Sequence, residues 1–422
     1  MPVPSAADKS PAFNPPHVTR ALFSWITHWP ILVSSLLAAL AGGLSACTET
    51  LPGITGTQSL RVELLTPANP GTVDVRLPDT ARSVQVKVSA IGPQGELDTS
   101  VSRDVAVYAQ FLATLTPALG GLPLAKVTLV NGVSAPTTVM LPPVFGATTL
   151  WIEDSQGDAA TFASGTTPAL WFRDPFIVDF QKPADENSVG ALTVSPLEDK
   201  QIRISGSRNG ANGKLLVTSV FSQGYTVSDV ICANAAGAPP CTTGDYDHAL
   251  VFSFSRPKDL AGRAVQVGQF VSGFTGGVAE FNGLTELSFP QTLVDGEPDV
   301  NVARLPAATA VEPAWFVTEK FKFERNEAAP IFTTGALLCP TDADYDKYKQ
   351  WKIAIVTTVG VEPSCSNKSS ILNVISTGFT FDPAAKVGKK MKVTGILRPV
   401  SVGSFNVWII YPRDESDISV LN

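Results

Sequence analysis

A histidine flanked by carboxylates is the first feature of this sequence that could support chemistry. His248 follows Asp245 and Asp247 in "GDYDHALVF", and an imidazole beside a carboxylate can act as a general base. However, neighbouring residues on a strand point to opposite faces, and neither a serine nor a cysteine stands in a nucleophile-elbow motif. The pattern therefore favours a solvent-exposed histidine at a loop edge, and we assign no catalytic residue.

A second acidic stretch, "DADYDKY", carries Asp342, Asp344 and Asp346 at alternating positions, as the start of a calcium-binding loop does. Such a loop has glycine at its sixth position and glutamate at its twelfth, where this chain has Lys347 and Ile353. A polar turn or short helix is predicted, with no metal site and no cofactor. The triplet Asp-Tyr-Asp occurs in both acidic stretches, which indicates that the position matters to the structure.

The stretch "KVGKKMK" contains the candidate ligand-binding residues. Lys389, Lys390 and Lys392 could contact phosphates, with Trp408 as a stacking platform and Arg413 nearby. The apolar residues that alternate with these lysines predict a strand with one solvent-exposed face, which needs no ligand. A tryptophan in such an alternating strand is more often part of a core than a platform.

An uncharged segment, "WPILVSSLLAALAGGLSA", precedes Cys47. It has the length of a signal-peptide core, and its end, Leu-Ser-Ala-Cys, resembles the lipobox of bacterial lipoproteins. The resemblance implies a signal peptide over residues 1–46, lipidation of Cys47, and a lipidated tether over residues 47–57. The alternatives are a secretory signal cut elsewhere and a single anchor helix. We expect an extracytoplasmic protein anchored by lipid to the bacterial cell envelope, at the outer membrane.

Four cysteines remain once Cys47 is lipidated, and an exported chain meets oxidising surroundings. Three connectivities are open to four cysteines, and pairing by proximity predicts Cys232–Cys241 and Cys339–Cys365. Free thiols and a zinc site are the alternatives. Zinc is disfavoured because neither pair has Cys-x-x-Cys spacing.

Composition favours strands over helices. Cleavage before Cys47 leaves 376 of the 422 residues, and without Lys9, Arg20 and Asp8 the basic and acidic totals fall from 31 and 38 to 29 and 37. The resulting net charge of about −8 argues against a general polyanion binder. The 33 glycines and 33 prolines leave little room for long helices, and short alternating runs bounded by turn residues are typical of sandwiches and barrels.

The first of three predicted modules is an immunoglobulin-like β-sandwich over residues 58–180. In "VQVKVSA" the apolar residues Val84, Val86, Val88 and Ala90 fall on one face of a strand. Similar runs follow at the intervals of a Greek-key sandwich. The tryptophans of "LWIEDS" and "ALWFRD" are expected in the core.

The other two modules, over residues 192–293 and 312–422, read as a diverged repeat. Each has an alternating strand broken by a glycine, then a glycine-containing turn and an aromatic-rich return strand. Gly273 and Gly395 occupy the break, where a coiled barrel strand must bend. The sequence therefore predicts an all-β chain: a sandwich followed by two barrels.

The second module carries a family resemblance. "GYTVSD" followed by "GRAVQVGQFVSGFTGGVAEFNGLTEL" is similar to the OB-fold module beside the catalytic domain of some secreted bacterial nucleases, and the third module resembles it more weakly. The resemblance implies an OB-like barrel and a role in binding. It implies no activity, because in that family the phosphodiester chemistry belongs to a separate domain.

These observations favour a non-catalytic, membrane-anchored binding or scaffold module whose partners are the membrane and envelope or cell-surface proteins. The alternative is extracytoplasmic binding of single-stranded nucleic acid or glycan through an OB face.

Overall fold

The computed structural model describes residues 57–112, 122–154, 163–186, 194–233, 239–358 and 360–421, all of which belong to one compact unit. Strands dominate this part of the chain and its helices are short, so the all-β prediction is confirmed. The predicted signal peptide and the lipidation of Cys47 lie outside the described residues.

The first sheet has nine strands. Seven of them follow the order β1-β2-β5-β4-β3-β7-β8, while β6 pairs with β2 and β9 pairs with β7. Their bounds are β1 Ser59–Thr66, β2 Ser83–Ile91, β3 Arg103–Phe111, β4 Ala125–Val130, β5 Val133–Ser134, β6 Thr137–Met140, β7 Ala147–Asp154, β8 Gly165–Thr166 and β9 Leu170–Trp171.

The first sheet is curled, and its inner face is the predicted apolar one. The side chains of Val84, Val86, Val88 and Ala90 are all fully buried, as the alternation in β2 predicts. The two ends of the sheet meet, since the Leu60 amide of β1 donates to a carbonyl oxygen just before β8, the last strand in the order.

The two tryptophans of the first module are not in the core, contrary to the prediction. Trp151 and Trp171 are only partly buried, because Leu150, Ile152 and Leu170 beside them take the inward positions. On the outer face, the guanidinium of an arginine lies 5.3 Å from the Trp171 ring. In β7 and β9 the residues next to each tryptophan therefore point into the core, and the tryptophans point to the other face of the sheet.

The second sheet has seven strands in the order β10-β15-β16-β13-β12-β11-β14. The bounds are β10 Gln201–Ile204, β11 Gly213–Phe221, β12 Gly224–Ile231, β13 His248–Phe252, β14 Phe270–Val271, β15 Gly273–Phe281 and β16 Leu284–Leu293.

The third sheet also has seven strands, in the order β17-β18-β19-β20-β22-β21-β23, with β18 pairing with β21 in addition. The bounds are β17 Thr309–Ala310, β18 Pro330–Leu338, β19 Gln350–Ala354, β20 Ile371–Ile375, β21 Lys390–Val402, β22 Phe405–Tyr411 and β23 Ile418–Val420.

The second and third sheets share one pattern of pairing. In the second, β11, β12 and β13 are antiparallel neighbours, β13 runs parallel to β16, and the stretch formed by β14 and β15 pairs with both β11 and β16. In the third, β18, β19 and β20 are antiparallel neighbours, β20 runs parallel to β22, and β21 pairs with both β22 and β18. Both sheets curl, because β14 and β15 in the second sheet, and the single long strand β21 in the third, pair with strands at both ends of the series.

Close backbone approach explains the two glycines that the sequence singles out. A Cβ on Gly273 would lie 2.3 Å from the carbonyl oxygen of Ile204, and one on Gly395 would lie 2.6 Å from that of Tyr411. These distances are far below van der Waals contact, so only glycine fits where the coiled strands bend.

In the described part of the chain, four short α-helices lie between the sheets or at their ends. The helix α1 packs Ile177 and Phe180 into a core that also contains side chains of the first and second sheets. The helices α2 and α3 precede β18, and α4 precedes β19. Their bounds are α1 Ile177–Gln181, α2 Ala314–Val317, α3 Phe321–Arg325 and α4 Ala343–Tyr348.

Both predicted disulfides are present. Cys232 is bonded to Cys241 beside the second sheet, and Cys339 to Cys365 beside the third. Disulfides persist in oxidising compartments, so they indicate an extracytoplasmic protein.

Candidate functional site

His248 lies inside the protein, so the prediction of a solvent-exposed histidine at a loop edge is wrong. It begins β13, and its side chain is 2 % exposed because the strand pairs with β12 and faces α1. Gln181 of α1 donates from Nε2 to the His248 carbonyl oxygen at 2.6 Å. Burial lowers the pKa of His248 to about 3, since a protonated imidazole is poorly solvated there. The ring is therefore neutral at pH 7.

Ser228 of β12 faces the imidazole directly, with Oγ 2.7 Å from Nδ1 of His248. A serine hydrogen-bonded to a histidine is the nucleophile–base pair of many hydrolases. Here the serine is 0 % exposed, so its hydroxyl is closed to a substrate. The nearest acid in sequence, Asp247, instead accepts from the Gly244 amide at 2.7 Å and pairs with Arg208 at 2.8 Å. The pair is a buried structural hydrogen bond.

Polar side chains also join the second sheet to α3. Asp245 lies 3.0 Å from Arg325 and 3.3 Å from Lys322, and the Tyr246 amide donates to the carbonyl oxygen of Arg325 at 2.8 Å. Burial raises the pKa of Tyr246 to about 12, so the phenol stays neutral. The first Asp-Tyr-Asp triplet therefore holds α3 against the second sheet. We call such contacts between the predicted modules joints.

The second triplet has a local role. Asp342 caps α4 by accepting from the Asp344 amide at 3.1 Å, and the hydroxyl of Tyr345 donates to the carbonyl oxygen of Phe381 at 3.0 Å. Lys352 pairs with Asp344 at 3.1 Å. The predicted short helix is confirmed, and the carboxylates of Asp342 and Asp344 are engaged in capping and ion pairing.

Buried glutamates meet where the second sheet contacts the segment before β18. Thr285 donates from its amide to Glu327 at 2.9 Å and from its hydroxyl to Glu280 at 2.8 Å. The second oxygen of each carboxylate has no hydrogen-bond partner among the described residues. Burial, with repulsion from Glu324 and Glu280, raises the pKa of Glu327 well above its usual range. Burial likewise raises the pKa of Glu280.

Arg398 of β21 forms another contact between the second and third sheets. Its guanidinium lies 4.4 Å from the ring of Phe221 and 4.7 Å from that of Tyr411. Burial lowers the pKa of Arg398 to about 10, so it remains charged at pH 7 beside Glu286. The contacts of Arg398 with Phe221 and Glu286 were not predictable from the sequence, because β11 and β16 are distant from β21 along the chain.

The predicted ligand-binding residues each contact a different partner. All three lysines are exposed. Lys390 pairs with a glutamate at 2.9 Å, Lys392 lies 5.3 Å from a phenylalanine ring, and Arg413 pairs with an aspartate at 2.6 Å. Trp408 stacks on a phenylalanine of α3 at 5.7 Å and packs against the core of the third sheet. Trp408 is thus half-buried at the edge of that core, and binding through Lys389 and its neighbours stays a prediction.

Three phenylalanines at the end of β13 and in β16 form a cluster, which we call the aromatic knob: Phe252, which is half-buried, and Phe254 and Phe289, which are exposed. Neighbouring ring centres are 5.3 Å and 5.2 Å apart, while Phe254 is 68 % and Phe289 74 % exposed. Sequence reasoning missed the knob. Its signal is "ALVFSFS", in which two further phenylalanines, Phe252 and Phe254, follow three buried apolar residues at the end of β13.

A groove of about 350 Å³ lies beside β11 and β14. Its charged lining comprises Lys214 and the acidic residues Asp295, Glu297 and Asp299. Glu297 also pairs with Arg263 at 3.3 Å. Within the described ranges no three His, Cys, Asp or Glu side chains are placed to hold a metal ion.

No family model and no curated protein matches the chain. Among solved structures, the dimeric latent PorU from Porphyromonas gingivalis aligns with a TM-score of 0.19 and 10 % identity, covering 84 % of this chain and 34 % of that one. The chain thus spans about a third of the protein it aligns with, and a TM-score this low says nothing about fold or function. No helix in the described part of the chain is long and apolar enough to cross a membrane.

Proposed function

We propose that this protein is a non-catalytic lipoprotein of the bacterial cell envelope that acts as a scaffold or binding module. Its first module is immunoglobulin-like and the next two are OB-like barrels. The strand pairing supports the barrel assignment. In the second sheet β13 lies parallel to β16 and β14 returns beside β11, and in the third β20 lies parallel to β22 and β21 returns beside β18. The curled first sheet with its alternating core supports the sandwich.

The observation that carries the proposal is the use made of the polar residues that could have done chemistry. His248 accepts a hydrogen bond from α1 through its carbonyl oxygen, Asp245 holds α3, and Glu327 binds a backbone amide of β16. Each of these contacts joins two segments of the chain. The imidazole of His248 is itself held by Ser228 within the second sheet. A protein that uses Asp245 and Glu327 to join segments, and keeps its buried imidazole in a structural hydrogen bond, is suited to holding modules in place.

The lipid tether completes the proposal. The lipobox-like residues before Cys47 support acylation, and the two disulfides agree with export. We expect a palmitate analogue supplied to cells to label the wild-type protein, and Cys47→Ala to abolish both labelling and membrane fractionation. Labelling that persists in the alanine variant would overturn the tether.

The scaffold role predicts that partners depend on the joints. The experiment is isolation of the crosslinked lipoprotein from its native envelope, comparing the wild type with Arg325→Gln and, as a matched surface control, Arg61→Gln, at an exposed position of β1. We expect envelope proteins to co-purify with the wild type and the control, and to be lost with the joint variant. Equal recovery with the joint variant, or none above an unrelated lipoprotein, would overturn the scaffold role.

A further inference from the structure

The aromatic knob exposes more apolar surface than the fold requires. Most of the large apolar side chains of the second sheet are buried in its core, whereas Phe254 and Phe289 stand beside each other with most of their surface in water. Burying such rings is favourable, and adjacent exposed aromatics mark surfaces that contact another phase or molecule.

The backbone holds the knob outward. Phe289 has a φ of +54°, in the left-handed region that bulky residues rarely adopt. It lies where the register between β15 and β16 shifts, and a proline follows it. A strained backbone that presents an apolar ring to water favours a binding role over a packing role.

Ring geometry limits the kind of ligand. The planes of Phe252 and Phe254 are inclined at 77°, and those of Phe254 and Phe289 at 49°. A sugar ring or nucleobase stacks on a flat aromatic face, and these rings form no common plane. They project as a wedge, which suits insertion into an apolar medium.

The charges beside the knob are basic. Arg256 and Lys258 follow Phe254 at alternating positions, both are exposed, and neither forms an ion pair with a described residue. The nearest acid along the chain, Asp259, is buried and pairs with Arg263 at 2.7 Å. Apolar rings flanked by free cations complement a membrane interface, where lipid phosphates lie above the acyl chains.

We propose that the aromatic knob, with Arg256 and Lys258, docks onto the surface of an anionic lipid bilayer. The inference rests on the proposed lipid tether, which would keep the bilayer within reach. One attachment at the N-terminus leaves a protein free to swing, and a second contact through the knob would fix the face that it turns to the membrane.

The test uses the full acylated chain reconstituted in vesicles of phosphatidylcholine, with and without phosphatidylglycerol, in which the acyl chains are brominated or not. Phe289→Trp places a reporter in the knob. The matched control is Phe281→Trp, at a phenylalanine that is 61 % exposed on the β15–β16 turn outside the knob. Emission is taken as the difference from the wild-type acylated chain, which keeps five of the seven tryptophans of the full sequence because cleavage before Cys47 removes Trp25 and Trp29. Phe254→Trp serves if the first variant unfolds.

We expect the emission of Phe289→Trp to shift to the blue and to lose intensity in brominated vesicles. The effect should grow with phosphatidylglycerol and weaken when Arg256→Gln and Lys258→Gln are added, while Phe281→Trp stays unquenched. Protein that fails to float with vesicles would refute the tether. Protein that floats with an unquenched reporter, with equal quenching at both positions, or with no response to anionic lipid would refute the docking and leave the tether standing.

Discussion

At His248, burial converts a residue pair that could catalyse a reaction into a pair that holds two strands together. The imidazole and the Ser228 hydroxyl share a hydrogen bond of 2.7 Å between β12 and β13. In the interior each group needs the other, because an unpaired buried polar group costs about 1–3 kcal/mol. The same two residues on a surface would be open to a substrate, so exposure decides between the two roles.

Replacing Ser228 should therefore lower stability. Ser228→Ala leaves Nδ1 of His248 without its partner, and we expect a loss of about 1–3 kcal/mol in the free energy of unfolding. Denaturant unfolding measures the loss, with Ser83→Ala as control because that serine is exposed at the start of β2. A Ser228→Ala protein as stable as the control would contradict the structural role.

Glu327 should make stability depend on pH. Its pKa is raised in the folded protein, so the folded state holds the proton to a higher pH than the unfolded state does. The contribution of Glu327 to the free energy of unfolding is fully present below its pKa in the unfolded protein. It declines as the pH rises towards its higher pKa in the folded protein. Glu327→Gln keeps the acceptor for the Thr285 amide and cannot ionise.

We therefore expect Glu327→Gln to be more stable than wild type at neutral pH, with the difference shrinking as the pH falls to the usual glutamate pKa. Thermal unfolding across this range tests the sign. Glu63→Gln, at an exposed position of β1, should show no such trend. A difference that grows on acidification would mean that Glu327 is stabilised as a carboxylate.

At the scale of elements, the bent strands β15 and β21 depend on their glycines. We expect Gly395→Ala to cost about 1–3 kcal/mol or more, because its Cβ would strike backbone atoms of Tyr411. Gly206→Ala is the matched control, since a Cβ there meets no atom within 4 Å. Its expected effect is within about 0.5 kcal/mol. Unfolding of Gly395→Ala at the same denaturant concentration as the control would argue against close approach.

Much of each element was predictable because local alternation determines which face is buried. The inward valines of β2, the inward Met391 and Val393 of β21 and the breaks at Gly273 and Gly395 all follow from period two and from the cost of a Cβ at a bend. The paired cysteines followed from proximity along the chain. These features need only a few residues of context.

What the sequence did not predict depends on contacts between distant segments. His248 is buried because α1, far upstream, covers its strand. Arg398 contacts Phe221 of β11, far upstream, besides Tyr411 of the neighbouring strand β22, and Trp151 lies opposite Tyr108 of β3. The aromatic knob forms because β13, which leads into Phe252 and Phe254, lies beside β16, which contains Phe289. No local pattern encodes which segments will meet.

For the whole molecule, the joints are the common theme. The first and second sheets share a hydrophobic core with α1, and the Ser401 amide of the third sheet donates to the carbonyl oxygen of Asn282 in the second at 2.6 Å. The Thr285 amide of the second sheet also donates to Glu327, just before β18, at 2.9 Å. Domains that share a core and backbone hydrogen bonds move together more than domains connected by a linker do.

The central claim is that these joints make the three sheets one rigid frame, and an inter-sheet distance distribution tests it most directly. Spin labels carried by non-canonical residues at Ser83 in the first sheet and Lys389 beside the third leave the disulfides intact, and pulsed electron resonance reads the distance between them. We predict one narrow distribution in the wild type and a broadened one in Arg325→Gln. A wild-type distribution as broad as that of the joint variant would contradict the rigid frame.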